Sequence, residues 1–393
     1  MSDSNELTNK IQKILVQAFK LVAVMFVFLV ALNLMSSGFK LLGKDIATEM
    51  ITLTSNPFVG LFIGLLATAL VQSSSTTTSM IVAIVASGSL SLQNAVPMIM
   101  GANIGTSVTS TIVALGHLSD KSAFNKAIGA ATVHDFFNLI VVLILFPLEV
   151  YFGVLSSVGA FASSIFYNEQ TENTKMFSIM GVTVKPVVKY LSVMMSKNAY
   201  MIITVSTMTL FISLHQMTSL LKKQLVGKAQ ESIDSTLFGS PIKSLFWGTV
   251  ITAGVQSSSV TTSLAVPLVA ADKISLKKAF PFLMGANIGT TVTAMIAALS
   301  QNEAALAVAF CHLGFNLFGV LILFPFPKVR NIPIWCAETL GRASMKNRAI
   351  GLSYTLVVFF LLPFSLIYAT TDLDSKKEKQ DRKTQIVSPV AKR

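Results

Sequence analysis

The chain has 393 residues, of which 52% are hydrophobic and 12% charged, and its mean hydropathy is +0.68. A soluble globular chain carries about a quarter charged residues, so there is too little polar surface here to coat a soluble protein of this length. Formal net charge is +12, but the positive charge sits at segment ends and in tails, which suits anionic headgroups rather than nucleic acid.

In chain order, the first apolar run is 14–34, flanked by Lys10, Lys13 and Lys20. It is too long for a signal peptide, and no small-residue cleavage site obviously follows it. An apolar arm then leads to QSSSTTTS at 72–79, and a second arm leads to GANIGT at 101–106. The next run, 136–150, has His134, Asp135 and Asn138 near its start. The stretch 149–182 holds Glu149, Glu169 and Glu172 against Lys175. After it come the run 199–214 and a basic connector with Lys222, Lys223, Lys228 and Lys243. QSSSVTTS follows at 256–263, GANIGT at 285–290 and an apolar run at 306–324. A basic turn with Lys328, Arg330, Arg342, Lys346 and Arg348 precedes a last run, 350–368, and a lysine-rich tail. Runs of about 20 apolar residues are what a helix needs to cross a hydrocarbon core ≈ 30 Å thick. Cys311 lies in an apolar run and Cys336 follows the basic turn, so no disulfide framework is expected.

The order of these motifs is a duplication. QSSS and GANIGT recur with one offset, 72 to 256 and 101 to 285, and FNLIVVLILFP at 137–147 is echoed by FNLFGVLILFP at 315–325. His134 pairs with His312, and Asn138 with Asn316. The basic flanks belong in the cytoplasm and 149–182 outside. One crossing between the copies then gives them opposite orientation. The expected fold is an all-α polytopic membrane protein of two inverted repeats, each with a re-entrant helical hairpin at QSSS and broken helices. The expected division is a tail and first membrane segment (1–55), repeat 1 (56–150), and an external loop with a linking helix and cytoplasmic connector (151–240). Repeat 2 (241–327), a basic turn with the last helix (328–370) and a basic tail (371–393) complete it.

Four consecutive polar side chains at lipid depth are costly unless satisfied. In one reading, Ser and Thr bond back to the carbonyl four residues earlier, while Gly101 and Gly105 form a small-xxx-small packing face. In the other, the helix breaks at QSSS, and freed N–H groups and helix N-termini attract an anion while carbonyls and hydroxyls coordinate sodium. The duplication favours the second, since packing alone has no need for the same four residues twice in register. Hydroxyls and N–H donors satisfy phosphate oxygens without a fixed charge, and a Gln or Ser oxygen can accept from a phosphate O–H. No Arg or Lys lies inside either motif, so the anion can leave again. Asp135 is open to two readings: a functional carboxylate at depth, or a hydrated residue near the membrane interface. Its counterpart is Leu313, so any role is held once. The two histidines lack neighbours at metal-ligand spacing.

The motifs QSSSTTTS, GANIGTSVTSTIVAL and ATVHDFFN, then QSSSVTTS, GANIGTTVTA and CHLGFN, closely resemble those of the type II sodium–phosphate cotransporters, over roughly residues 56–327. The resemblance implies sodium-coupled symport of inorganic phosphate, with sodium as coupling ion, no cofactor, and a homodimer in the lipid bilayer. It implies phosphate ligands at Gln72, Ser73, Ser74, Ser75, Gln256, Ser257, Ser258 and Ser259, with Asn103 and Asn287 beside them. Sodium is expected around Thr290, Thr293 and Asn138, with Thr106 and Thr109 as the first-copy equivalents. Asp135 falls where electrogenic members carry Asp and electroneutral ones Gly, which implies a further sodium site there. Ala102 and Ala286 stand where many animal members have Ser. The external loop is short and lacks the animal cysteine pair, and one more span is expected after 350–368. Short tails and loops point to a bacterial inner membrane. A membrane phosphatase would need a nucleophile with a base, or a metal cluster, and QSSS has serines but no partner His or Asp in the motif. A symporter of another oxyanion and an anion channel are the remaining alternatives, separable by competition and by saturable sodium dependence.

Overall fold

The computed structural model describes residues 2–172, 175–231 and 237–369, with side chains described over 12–166, 182–222 and 237–369; the tail 371–393 lies outside them. All regular structure among these residues is helical. Seven helical segments are long and apolar enough to cross a membrane: Gln12–Leu41, Leu92–Leu115, Lys121–Phe152, Ala199–Lys222, Leu276–Leu299, Glu303–Leu323 and Ala349–Ala369. A bent pair, Lys44–Leu53 and Pro57–Val71, turns by 97° and makes an eighth if counted as one span. The five apolar runs of the sequence fall in five of the seven. The other two carry GANIGT. Their buried Asn, Thr and Pro interrupt the apolar run but face protein rather than lipid.

Helix α1 (Ser2–Leu41) and the short α2 (Lys44–Leu53) precede the first copy. That copy comprises α3 (Pro57–Val71), α4 (Ser74–Ser87), α5 (Leu92–Gly105), α6 (Val108–Leu115) and α7 (Lys121–Phe152). Between the copies lie α8 (Val154–Glu172), α9 (Lys175–Met194) and α10 (Ala199–Glu231). The second copy comprises α11 (Pro241–Val255), α12 (Ser258–Ala270), α13 (Leu276–Leu299) and α14 (Glu303–Leu323). The starts are written alike in both copies. Asn56 and Ser240 cap α3 and α11, each followed by Pro, and Ser91 and Ser275 cap α5 and α13.

Two stretches read as irregular are helical. The expected external loop contains α8, which packs along α14, and the expected basic turn is the 20-residue α15 (Pro327–Lys346), packed on α7. Pro327 starts α15 and Pro333 sits within it; its apolar positions are spaced for one face, which a reading by charge alone does not register. Helix α16 (Ala349–Leu356) continues through a π-helical turn, Val357–Leu361.

Each copy is pinned by one close helix pair, α3 on α5 and α11 on α13. A Cβ on Gly101 would run into the Leu61 carbonyl oxygen, and one on Gly285 into that of Leu245. The glycines of GANIGT therefore serve backbone-to-backbone packing. The copies also interlock: α4 packs on α13 and α14, while α12 packs on α6 and α7.

Candidate functional site

Both QSSS motifs break their helix in the same way. Gln72 closes α3 in the left-handed region (φ 56, ψ 26), and Gln256 closes α11 at φ 58, ψ 28. Left-handed backbone is uncommon for a residue other than glycine and costs energy. Its presence twice, at equivalent residues, marks a conformation held for a purpose. The next residue turns to extended backbone and caps the following helix. Ser73 accepts from Thr76 N–H at 3.2 Å and Ser257 from Val260 N–H at 3.4 Å. Two helix N-termini, those of α4 and α12, are thus presented at paired turns, each with the positive end of its dipole.

The two turns meet. Ser75 Oγ donates to the Gln256 carbonyl oxygen at 3.0 Å, and one cavity of about 430 Å³ is lined by Gln72, Ser73 and Ser75 from one copy and Gln256, Ser257 and Ser259 from the other. Gln256 Oε1 is buried without a hydrogen-bond partner among the described residues. Ser74 and Ser258 are buried as the first residues of α4 and α12 and do not line this cavity.

Beside each turn sits a threonine a few residues after GANIG, Thr109 on α6 and Thr293 on α13. Thr109 Oγ1 approaches the Gln72 carbonyl oxygen at 3.4 Å, and Thr293 Oγ1 approaches that of Gln256 at 3.5 Å. Each pair sets a hydroxyl against a carbonyl that the broken helix leaves available. Thr106 and Thr290 instead bond back to Ala102 and Ala286 carbonyls, both at 3.1 Å.

A second polar cluster, buried at the contact between the copies, is made by crossing. His134 Nε2 bonds Asn287 Oδ1, and His312 Nε2 bonds Asn103 Oδ1 at 3.3 Å. Each histidine therefore binds the GANIG asparagine of the other copy. Asn287 Nδ2 donates to Asn138 Oδ1 at 3.0 Å, and Asn138 Nδ2 donates to the Asn103 carbonyl at 2.8 Å. Asn316 Nδ2 reaches Asn103 Oδ1 at 3.4 Å. Because Asn287 spends its amide on Asn138, its Oδ1 is the acceptor and His134 carries its proton on Nε2. Asn103 and Asn287, expected beside phosphate, thus lie in this cluster and not on the cavity. The histidines' part is one that spacing alone does not reveal.

Asp135 is 0% exposed. Tyr354 of α16 donates to its Oδ2 at 3.3 Å, the Ser107 side chain lies beside it, and Oδ1 has no partner among the described residues. The described residues enclose this carboxylate. Helix α5 ends at Gly105 and α6 begins at Val108, so within the span Leu92–Leu115 the α-helical hydrogen-bond pattern is interrupted at Thr106 and Ser107, next to this carboxylate. In the second copy, where Leu313 replaces Asp135, α13 runs unbroken through the equivalent Thr290 and Thr291. Among the described residues, no three His, Cys, Asp or Glu side chains group as a metal site.

A family model described as Na+/Pi-cotransporter matches residues 27–184 and 209–332. Sodium-dependent phosphate transport protein 2A of Rattus norvegicus is 33% identical over 422 residues, covering 88% of this chain and 66% of the relative. Sodium-dependent phosphate transport protein 2B of Homo sapiens is 32% identical over 443 residues, covering 88% of this chain and 64% of the relative. The chain thus spans just under two thirds of the length of these relatives. No solved structure matches it.

Proposed function

The chain belongs to the Na+/Pi-cotransporter family, and on that premise we propose that it is a secondary-active symporter, not an enzyme, that imports inorganic phosphate together with sodium. The observation that carries this is the convergence of both QSSS turns, with the N-termini of α4 and α12, on one cavity. Helix N-termini and serine hydroxyls are donors suited to phosphate oxygens. The unpartnered Gln256 Oε1 is an acceptor suited to the O–H of a monohydrogen phosphate. The site holds the anion without a fixed positive charge at its base, so release on the far side is not blocked by an ion pair.

Sodium, a hard cation, takes oxygen ligands. The pairs of Thr109 with the Gln72 carbonyl and Thr293 with the Gln256 carbonyl supply them next to the phosphate. Cation and anion neighbouring in one dehydrated cleft strengthen each other's binding, which is the physical basis of coupling. Asp135 with Asn138 supplies a further, unduplicated site, and one more sodium per cycle makes transport electrogenic. The copies are read as inverted repeats with re-entrant hairpins, α3–α4 and α11–α12, and the crossed His–Asn bonds as the link that makes them act as one body. We place the protein, as a homodimer, in a bacterial inner membrane.

The test is radiolabelled phosphate uptake by purified protein in liposomes. Accumulation is expected with sodium outside and little with potassium; equal uptake in the two salts would refute the symport reading.

A further inference from the structure

Helix α10 belongs to neither copy, and by sequence it is only the link between them. Its residues Phe211, Leu214, His215, Thr218, Ser219 and Lys222 nevertheless line the cavity between the QSSS turns. They fall at i, i+3, i+4, i+7, i+8 and i+11, the spacing of one helical face. The face turns polar toward the basic connector, and Lys222, the last residue of α10 whose side chain is described, lies about ten ångströms, or seven residues of helix, beyond His215. Among the described residues, Lys222 is the one lysine or arginine lining the cavity, and none of the lining residues is a carboxylate.

We propose that the polar face of α10 is the third wall of the anion pathway, and that Lys222 gathers the phosphate anion at the mouth of the cavity and passes it to the QSSS turns. The inference rests on phosphate being the substrate. A lysine that served only to anchor a helix end would extend to headgroups. Lys222 is exposed but borders the cavity that both copies build. A single positive charge over a cleft with low-dielectric walls concentrates anions within it, and does so less as salt screens the field. At the mouth it raises the rate of arrival without adding a bond that must break before release. Thr218 and Ser219 offer hydroxyls along the same face.

The experiment is inorganic phosphate binding to the purified full chain in detergent, at fixed sodium, with ionic strength raised by choline chloride. Lys222→Gln is expected to weaken phosphate binding about three- to tenfold at low ionic strength through a slower association rate, as loss of a rim charge does. The gap should close in high salt, and Lys222→Arg should bind like wild type throughout. Wild-type affinity in Lys222→Gln at low ionic strength would overturn this inference alone, as would a loss equal at every ionic strength. Failure of the unaltered protein to bind phosphate in sodium would overturn it together with the symport reading.

Discussion

Replacing Asn287 by leucine keeps roughly the same volume and removes both polar ends of a buried link between the copies. Asn287 is 3% exposed, so water does not take its place. Its Oδ1 accepts from His134 and its Nδ2 donates to Asn138 at 3.0 Å. The substitution leaves one N–H and one carbonyl oxygen unpaired, each costing about 1–3 kcal/mol, or about 2–6 kcal/mol together. The equivalent Asn103→Leu is expected to cost less, because its Oδ1 contacts to His312 and Asn316 are long, at 3.3 and 3.4 Å, while the carbonyl that serves Asn138 is retained. Unfolding in mixed micelles, titrated with a denaturing detergent, ranks the two. A double-mutant cycle with His134→Leu isolates the cross-copy bond, since His134→Leu already removes one of the two orphaned groups. His134→Leu alone orphans Asn287 Oδ1 and the double variant orphans only Asn138 Oδ1, so on the same count the cycle should return about 2–6 kcal/mol of coupling. Equal stability of Asn287→Leu and wild type, or a coupling near zero, would refute the crossed link.

Three further outcomes are expected. Ser259→Ala should raise the phosphate concentration needed for half-maximal uptake more than Ser258→Ala does, because Ser259 lines the cavity and Ser258 does not; the reverse order would move the site. Thr293→Val, which keeps shape but loses the hydroxyl facing the Gln256 carbonyl, should raise the sodium requirement with phosphate selectivity unchanged, whereas Thr290→Val should have the smaller effect. Uptake should quicken when valinomycin and potassium make the liposome interior negative, since one elementary charge moved across 100 mV is worth about 2.3 kcal/mol. Asp135→Gly should keep transport and lose that response; a full voltage response in the glycine variant would remove Asp135 from the electrogenic step.

The duplication and the break at QSSS were legible because both are written in residue identity. Four polar residues recur at one offset, and serine follows the break where a helix cap belongs. The split among those four was not legible. The left-handed Gln and the extended Ser rotate successive side chains to different sides, so Ser75 and Ser259 face the cavity while Ser74 and Ser258 do not. The His–Asn bonds were hidden for another reason. They run between copies, across the packing of α7 on α13 and of α5 on α14, which brings those side chains together. The place of α10 on the cavity was hidden by its hydropathy. The apolar run ends at Leu214, yet the helix continues through His215, Thr218, Ser219 and Lys222, whose polarity ends a hydropathy window at the residues that border the cavity. The GANIGT spans were passed over similarly, since their asparagines and threonines face protein.

The interruption at Thr106 and Ser107 makes the copies mechanically unequal. Helix α13 is a 24-residue rod, and a displacement at one end is carried to the other. Helices α5 and α6 cover the matching stretch as two shorter pieces, joined where Thr106 N–H bonds the Asn103 carbonyl three residues back rather than the one four back. If Asp135 takes an ion as proposed, the charge arrives beside the interrupted helix of the first copy, and the continuous helix of the second has no counterpart to feel it.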